Sequence, residues 1–329
     1  MPTLRVVGAG RVGHVLEEVL GLAVGAVARR GGAAAHPGSP VAPSVPARPV
    51  VVEEKAALRQ ALEHGRATGR TVGLVPTMGA LHDGHASLIR RAAVECDLVA
   101  VTIFVNPLQF DRPDDLAAYP RTIADDLAVA ADAGAHVVFA PTATEVYGCG
   151  PQARVHVAGL ANRLEGAARP GHFDGVATVC TKLFGVAGAC RAYFGEKDFQ
   201  QLAVVRRLVH DLDLPIEVVA CPTERADDGL ALSSRNALLS PIERAAAPAL
   251  HRALRLGADL LTSGERDPEV VGAAVAAALG REPRFRLDRV DVVDADTLAA
   301  PDERTTSVRI LAAAFLGRAR LIDNLGVAL

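Results

Sequence analysis

Thr71-Val-Gly-Leu-Val-Pro76-Thr-Met-Gly-Ala-Leu-His82-Asp-Gly-His85 is the stretch on which the fold turns. It begins as an apolar run and bends at Gly79 and Gly84. It then passes, over residues 86–94, into apolar spacing of helical period. A strand that ends in a glycine turn and opens a helix is the first half of a βαβ unit. The same alternation continues outward from it. Helical patterns occupy 53–68, 123–133 and 200–211, and strand patterns 98–104, 136–140, 191–194 and 216–221. Short apolar strands separated by amphipathic helices predict an α/β fold, a Rossmann-like doubly wound parallel sheet over residues 50–222. After Cys221-Pro222 the texture changes. Two Ala-rich helices, 241–262 and 268–279, lead to strand-like runs at 287–293, 307–315 and 320–324. This predicts a smaller C-terminal α+β domain, 223–329, expected to sit as a lid over the sheet's carboxyl edge.

Composition narrows the function. The 329 residues are 50% hydrophobic and 22% charged, which allows a sizeable core and excludes global disorder. Thirty-five basic residues face 38 acidic ones, so no bulk electrostatic reason exists to bind nucleic acid or a membrane surface. Only three of the 35 are lysines, Lys55, Lys182 and Lys197, so a lysine inside a motif stands out. Five cysteines without a C-x-x-C pair fit neither a zinc ribbon nor a disulfide framework. No leader pattern and no apolar run of ~18 residues is present, and a cytoplasmic protein is expected. Residues 1–49 open with Gly8-Ala-Gly10-Arg-Val-Gly13, the glycine spacing of a dinucleotide turn. The acidic residue expected about twenty positions later is missing, and the chain turns Pro/Ala-rich. We read 1–49 as an extension, a truncated GxGxxG segment plus linker, whose removal should leave the activity intact. An NAD(P)-binding protein built on it is the remote alternative.

Three segments carry chemistry. His82 and His85 lie at a helix start after a strand, where backbone N–H groups and the dipole favour phosphate. Two imidazoles there can donate to phosphate oxygens or a departing pyrophosphate; zinc competes, but no third ligand follows at metal spacing. Phe194-Gly-Glu-Lys197-Asp198 again ends a strand and offers an ammonium beside a glycine turn. Read alone it is a solvated turn. Leu232-Ser233-Ser234-Arg235 offers two hydroxyls and a guanidinium in a loop, a clamp for a polyphosphate, although the composition is common in loops. Asn106, Gln109 and Gln201 are neutral amides suited to a small polar ligand. Asp125 and Asp126 open a helix, where capping explains the pair as well as Mg2+ does.

Together these blocks, with Tyr119–Thr122 and the run from Glu165 to Phe173, resemble the pantothenate synthetase (pantoate–β-alanine ligase) family of the HIGH-motif nucleotidylyltransferases. The resemblance covers roughly residues 50–329. It implies ATP-dependent condensation of pantoate with β-alanine through pantoyl adenylate, releasing pyrophosphate and then AMP, in a homodimer. It further implies ATP contacts at Met78, Gly79, Ala80, Leu81, His82, Asp83, Gly84 and His85, with His85 as proton donor. Gly195, Glu196, Lys197, Asp198, Leu232, Ser233, Ser234 and Arg235 correspond to further ATP contacts, and Glu224 to a backbone contact with adenine. Gln109 and Gln201 match pantoate-binding positions, Gln109 also near β-alanine. Another HIGH-motif nucleotidylyltransferase is the runner-up; it shares the histidines but does not predict the amide set.

Overall fold

The computed structural model describes residues 48–329. The Gly8, Gly10 and Gly13 turn therefore lies outside the described residues. Six strands form one parallel sheet: β1 (Val50–Val52), β2 (Val72–Thr77), β3 (Leu98–Ile103), β4 (Val137–Phe139), β5 (Cys190–Gly195) and β6 (Ile216–Cys221). Their order is β1-β4-β3-β2-β5-β6, with every pairing parallel. Successive residues alternate between two cores. Leu74, Ala100 and Val137 pack on one face, and Val75, Val101 and Val138 on the other. Strands covered on both faces need the continuous Val/Ile/Leu character seen in the sequence.

The second sheet, β7 (Phe285–Asp294), β8 (Ser307–Leu316) and β9 (Ala319–Ala328), is antiparallel. Helices Ala249–Thr262 and Pro268–Leu279 share a separate core with it. Leu250, Leu254 and Leu261 are buried along one stripe of the first, the 3.6-residue spacing that the sequence shows. The single helix expected over 241–262 is instead two, Pro241–Ala246 and Ala249–Thr262. Pro248 has no N–H to donate, and in mid-helix its ring would strike the preceding turn.

One long helix escaped the sequence reading. His172–Ala187 buries 12 of its 16 residues, so it has no polar stripe to reveal a period. Gly175 explains its tight seat: a Cβ there would lie 2.3 Å from the Leu108 carbonyl oxygen.

Candidate active site

The direction in which strands are added to the sheet reverses between β2 and β5: β3 and β4 follow on one side of β2, and β5 and β6 on the other. Ligands of open α/β sheets settle at such a reversal, outside the carboxyl ends of the strands. Here a cleft of about 240 Å³ opens, lined by the loops after β2 and β5 and by residues 222–224 and 232–235.

The loop after β2 is held from behind. Gly79 (φ 84°) and Ala80 (φ 51°) are both left-handed, a conformation that costs alanine more than glycine. The buried Asp126 carboxylate stabilises it, accepting from the N–H groups of Ala80 (3.1 Å) and Leu81 (2.7 Å). The Thr122 hydroxyl donates to the same carboxylate at 3.2 Å. Helix Asp83–Glu95 then starts on a capping box made of histidines. His82 Nδ1 accepts the Gly84 N–H at 3.1 Å, and His85 Nδ1 accepts the His82 N–H at a longer 3.4 Å. Burial, then His82 and Lys197, lower the His85 pKa to about 3; burial and Lys197 also lower that of His82. Both rings are thus neutral near pH 7. A neutral ring accepting at Nδ1 carries its proton on Nε2, so two Nε2–H donors remain for a ligand.

Across the cleft, Lys197 belongs to the 3-10 turn Glu196–Asp198 that follows β5. Its Nζ lies 3.7 Å from Asp198 Oδ1. Burial raises the Asp198 pKa, but Lys197 and Arg235 outweigh it and hold the carboxyl below its ordinary value. The third wall is the 3-10 turn Ser234–Leu238, capped by Ser233, whose Oγ accepts the Arg235 N–H at 3.2 Å.

The amide end is organised by Asn106, which is 1% exposed. Its Nδ2 donates to Gln109 Oε1 (2.9 Å) and to the Gly175 carbonyl (3.1 Å). Its Oδ1 accepts from Tyr147 Oη (2.7 Å) and Leu108 N–H (3.2 Å). Asn106 therefore holds Gln109, and the Gln109 amide nitrogen is left to face outward. Beside it, His172 Nδ1 lies 2.7 Å from the Gln109 carbonyl, to which it donates. Burial, then Arg169, lower the His172 pKa to about 4, so this ring is also neutral, with the opposite tautomer from His82 and His85. Arg169 caps this end: it donates to the Gln109 carbonyl at 3.2 Å and pairs with Asp111 at 3.3 Å.

The family model described as pantoate–β-alanine ligase matches residues 50–326. The chain belongs to the pantoate–β-alanine ligase family. A pantothenate synthetase from Cereibacter sphaeroides is 52% identical over 279 residues, 85% of this chain and 100% of that protein. One from Moorella thermoacetica is 48% identical, covering 82% and 95%. Among solved structures, the Thermus thermophilus pantothenate synthetase aligns with TM-score 0.79 at 46% identity, covering 84% of this chain and 98% of that one. A Francisella tularensis pantoate–β-alanine ligase, complexed with βγ-ATP and β-alanine, aligns with TM-score 0.69 at 32% identity, covering 84% and 97%.

Within this ligase fold most expected positions converge. Met78, His82, Gly84, His85, Gly195, Lys197, Asp198, Glu224, Leu232, Ser233, Ser234, Arg235, Asn106, Gln109 and Gln201 all line the cleft. Gly79, Ala80 and Leu81 instead shape the loop behind it. Asp83 is exposed, and Glu196 pairs with Arg309 at 2.9 Å. The magnesium reading of Asp125 and Asp126 does not fit: both Asp126 oxygens are engaged by the loop, and Asp125 points to solvent. No cluster of three or more His, Cys, Asp or Glu suited to a metal occurs among the described residues. Three cleft residues, Tyr119, Arg169 and His172, were not singled out as site positions. The run Arg169-Pro-Gly-His172 ahead of an apolar stretch was the available signal; the helix it opens went unseen for lack of a period.

Proposed function

We propose that the cleft divides the ligase reaction among its three walls. The reaction joins pantoate to β-alanine with ATP, through an acyl adenylate. In the first step a pantoate carboxylate oxygen bonds to the α-phosphorus, and the bond from that phosphorus to the bridging oxygen of pyrophosphate breaks. Negative charge moves onto the departing oxygens. Nε2–H of His82 and His85, the Lys197 ammonium and the Ser233–Arg235 segment are the donors that would meet it. Donors fixed before the reaction do most where charge develops. At pH 7 His85 acts as a neutral hydrogen-bond donor; a bound triphosphate would raise its pKa by charge attraction.

Gln109 and Gln201 would hold pantoate, with Asn106 fixing the first of them. The β-alanine amine then bonds to the acyl carbon, AMP leaves, and the amide forms. Arg169, at the Gln109 end, would take the β-alanine carboxylate. The backbone of Glu224 is assigned to adenine; its carbonyl already accepts from Leu232 N–H at 2.9 Å. With no carboxylate cage in the cleft, Mg2+ would ride on the nucleotide's phosphates, as is usual for this ion. A cytoplasmic homodimer is carried over from the family. All five cysteines are free thiols, which suits a reducing compartment, and among the described residues no helix is long and apolar enough to cross a membrane.

The observation that carries this reading is the pair of Nε2–H imidazoles facing Lys197 at the sheet's switch point. It is tested by pyrophosphate release from ATP that requires pantoate, with pantothenate appearing only once β-alanine is added. Turnover without pantoate, on another acceptor, would reject it.

A further inference from the structure

Lys197 sits in a short turn between a strand and a helix. Glu196–Asp198 is three residues of 3-10 helix leading into helix Phe199–Asp211, and its carbonyls each have a second lone pair to offer. Two of them find a donor in the other unit. Asn324, mid-way along β9 and 3% exposed, donates through Nδ2 to the carbonyls of Glu196 (3.0 Å) and Lys197 (2.8 Å). Its Oδ1 accepts from Arg309 Nε at 2.6 Å. That guanidinium reaches on to Glu196 Oε2 at 2.9 Å and stacks 4.0 Å over the Phe199 ring. Two acceptors on one side and a cation on the other leave the amide a single orientation.

The preceding residue holds the opposite wall. Asp323, 4% exposed, accepts both arms of Arg225, at 2.7 and 2.9 Å. Arg225 also donates to the Gly229 carbonyl (3.1 Å) and pairs in a β-bridge with Ala231, two residues before Ser233. Adjacent residues of one strand therefore grip both phosphate-facing segments outside the β2 loop.

We propose that Asn324 is a positioning residue for Lys197, and that Asp323–Asn324 sets the spacing between Lys197 and the Ser233–Arg235 segment. The inference rests on the assignment of Lys197 to ATP phosphates. Asn324 touches no cleft surface; it acts by fixing the backbone from which the ammonium is aimed. Small displacements of a phosphate donor cost large factors in rate.

The test is a cycle of N324D, K197A and the double variant, read as pantoate-dependent pyrophosphate release. N324D keeps the Arg309 contact and turns the two carbonyl-facing donors into a repelling oxygen. Adenylation kcat should fall by about tenfold or more, with the KM for β-alanine in the second step unchanged. The double variant should be no slower than K197A alone, within about threefold, because both changes act through one ammonium. A wild-type rate in N324D, or losses that multiply in the double variant, would overturn the inference. A slow K197A beside a wild-type N324D sinks only the positioning role; a wild-type K197A sinks the Lys197 assignment and this inference with it. Should N324D fail to fold by circular dichroism, N324A removes the same donors without adding charge and carries the same readout.

Discussion

Two of the three cleft walls assigned to phosphate, the β2 loop and the Ser233–Arg235 segment, are built on different plans. The β2 loop is fixed within one packed unit: Asp126 ties its backbone, and His82 and His85 cap their own helix with their ring nitrogens. The Ser233–Arg235 wall is partly exposed and hangs on Arg225, whose partner Asp323 lies 98 residues away in β9. The hydrogen bonds that hold the first wall all come from residues of the parallel-sheet unit. The second is tied to β9 of the C-terminal unit through Arg225, and to the parallel-sheet unit at Tyr119, whose hydroxyl bonds to Ser234. One cleft thus combines a wall held by local contacts with a wall held by contacts from a distant strand.

The contrast breaks if the fixed wall proves dispensable. His85→Ala removes one of its two Nε2–H donors, and adenylation should slow by ~10²-fold, the usual cost of losing a transition-state donor. Single-turnover pyrophosphate release measures it; a rate within threefold of wild type would refute the role. Next in size is Asp126→Asn. The amide keeps the shape but sets an NH2 group against one of two backbone N–H donors, and an unsatisfied buried donor costs about 1–3 kcal/mol. Roughly tenfold slower adenylation is expected, with the Mg2+ concentration giving half-maximal rate unchanged. A marked rise in that concentration would return Asp126 to the metal.

How far the sequence foretold these walls depended on whether the determinants were local. The β2 loop was legible because strand, glycine turn and helix start sit in fifteen consecutive residues. Strands β2 to β6 were legible for the same reason, with ends wrong by a residue or two. The three-residue edge strand β1 was missed, being too short to show a pattern. Helix His172–Ala187 was missed because burial all round erases periodicity. Asp126 was read as half of a metal pair because its adjacency to Asp125 is visible in sequence, whereas its contact with Ala80 and Leu81, 46 and 45 residues away, is not. The ties from Asp323 and Asn324 span about a hundred residues or more, and no local spacing announces them.

The smallest effect per residue is on acid stability, and it sharpens the comparison between the two units. Four histidines of the parallel-sheet unit are depressed mainly by burial: His85 to about 3, His172 and His136 to about 4, and His82 in the same direction. Because each is held neutral in the folded state against an unfolded value near 6.5, the unfolded chain binds more protons below that pH. Their contribution is intact above about pH 6.5 and is lost as pH falls toward 4 and then 3. The limiting slope is about 1.4 kcal/mol per pH unit for each. The C-terminal unit has one lowered histidine, His251, depressed by burial and Arg225 while Asp323 pulls the other way. Amide exchange compared at pH 7 and pH 5 should therefore show protection falling in β2, β3 and β5 before it falls in β7 to β9. Equal loss in both sheets would mean that acid acts through the contacts between the units, and the independence of the fixed wall would fall with it.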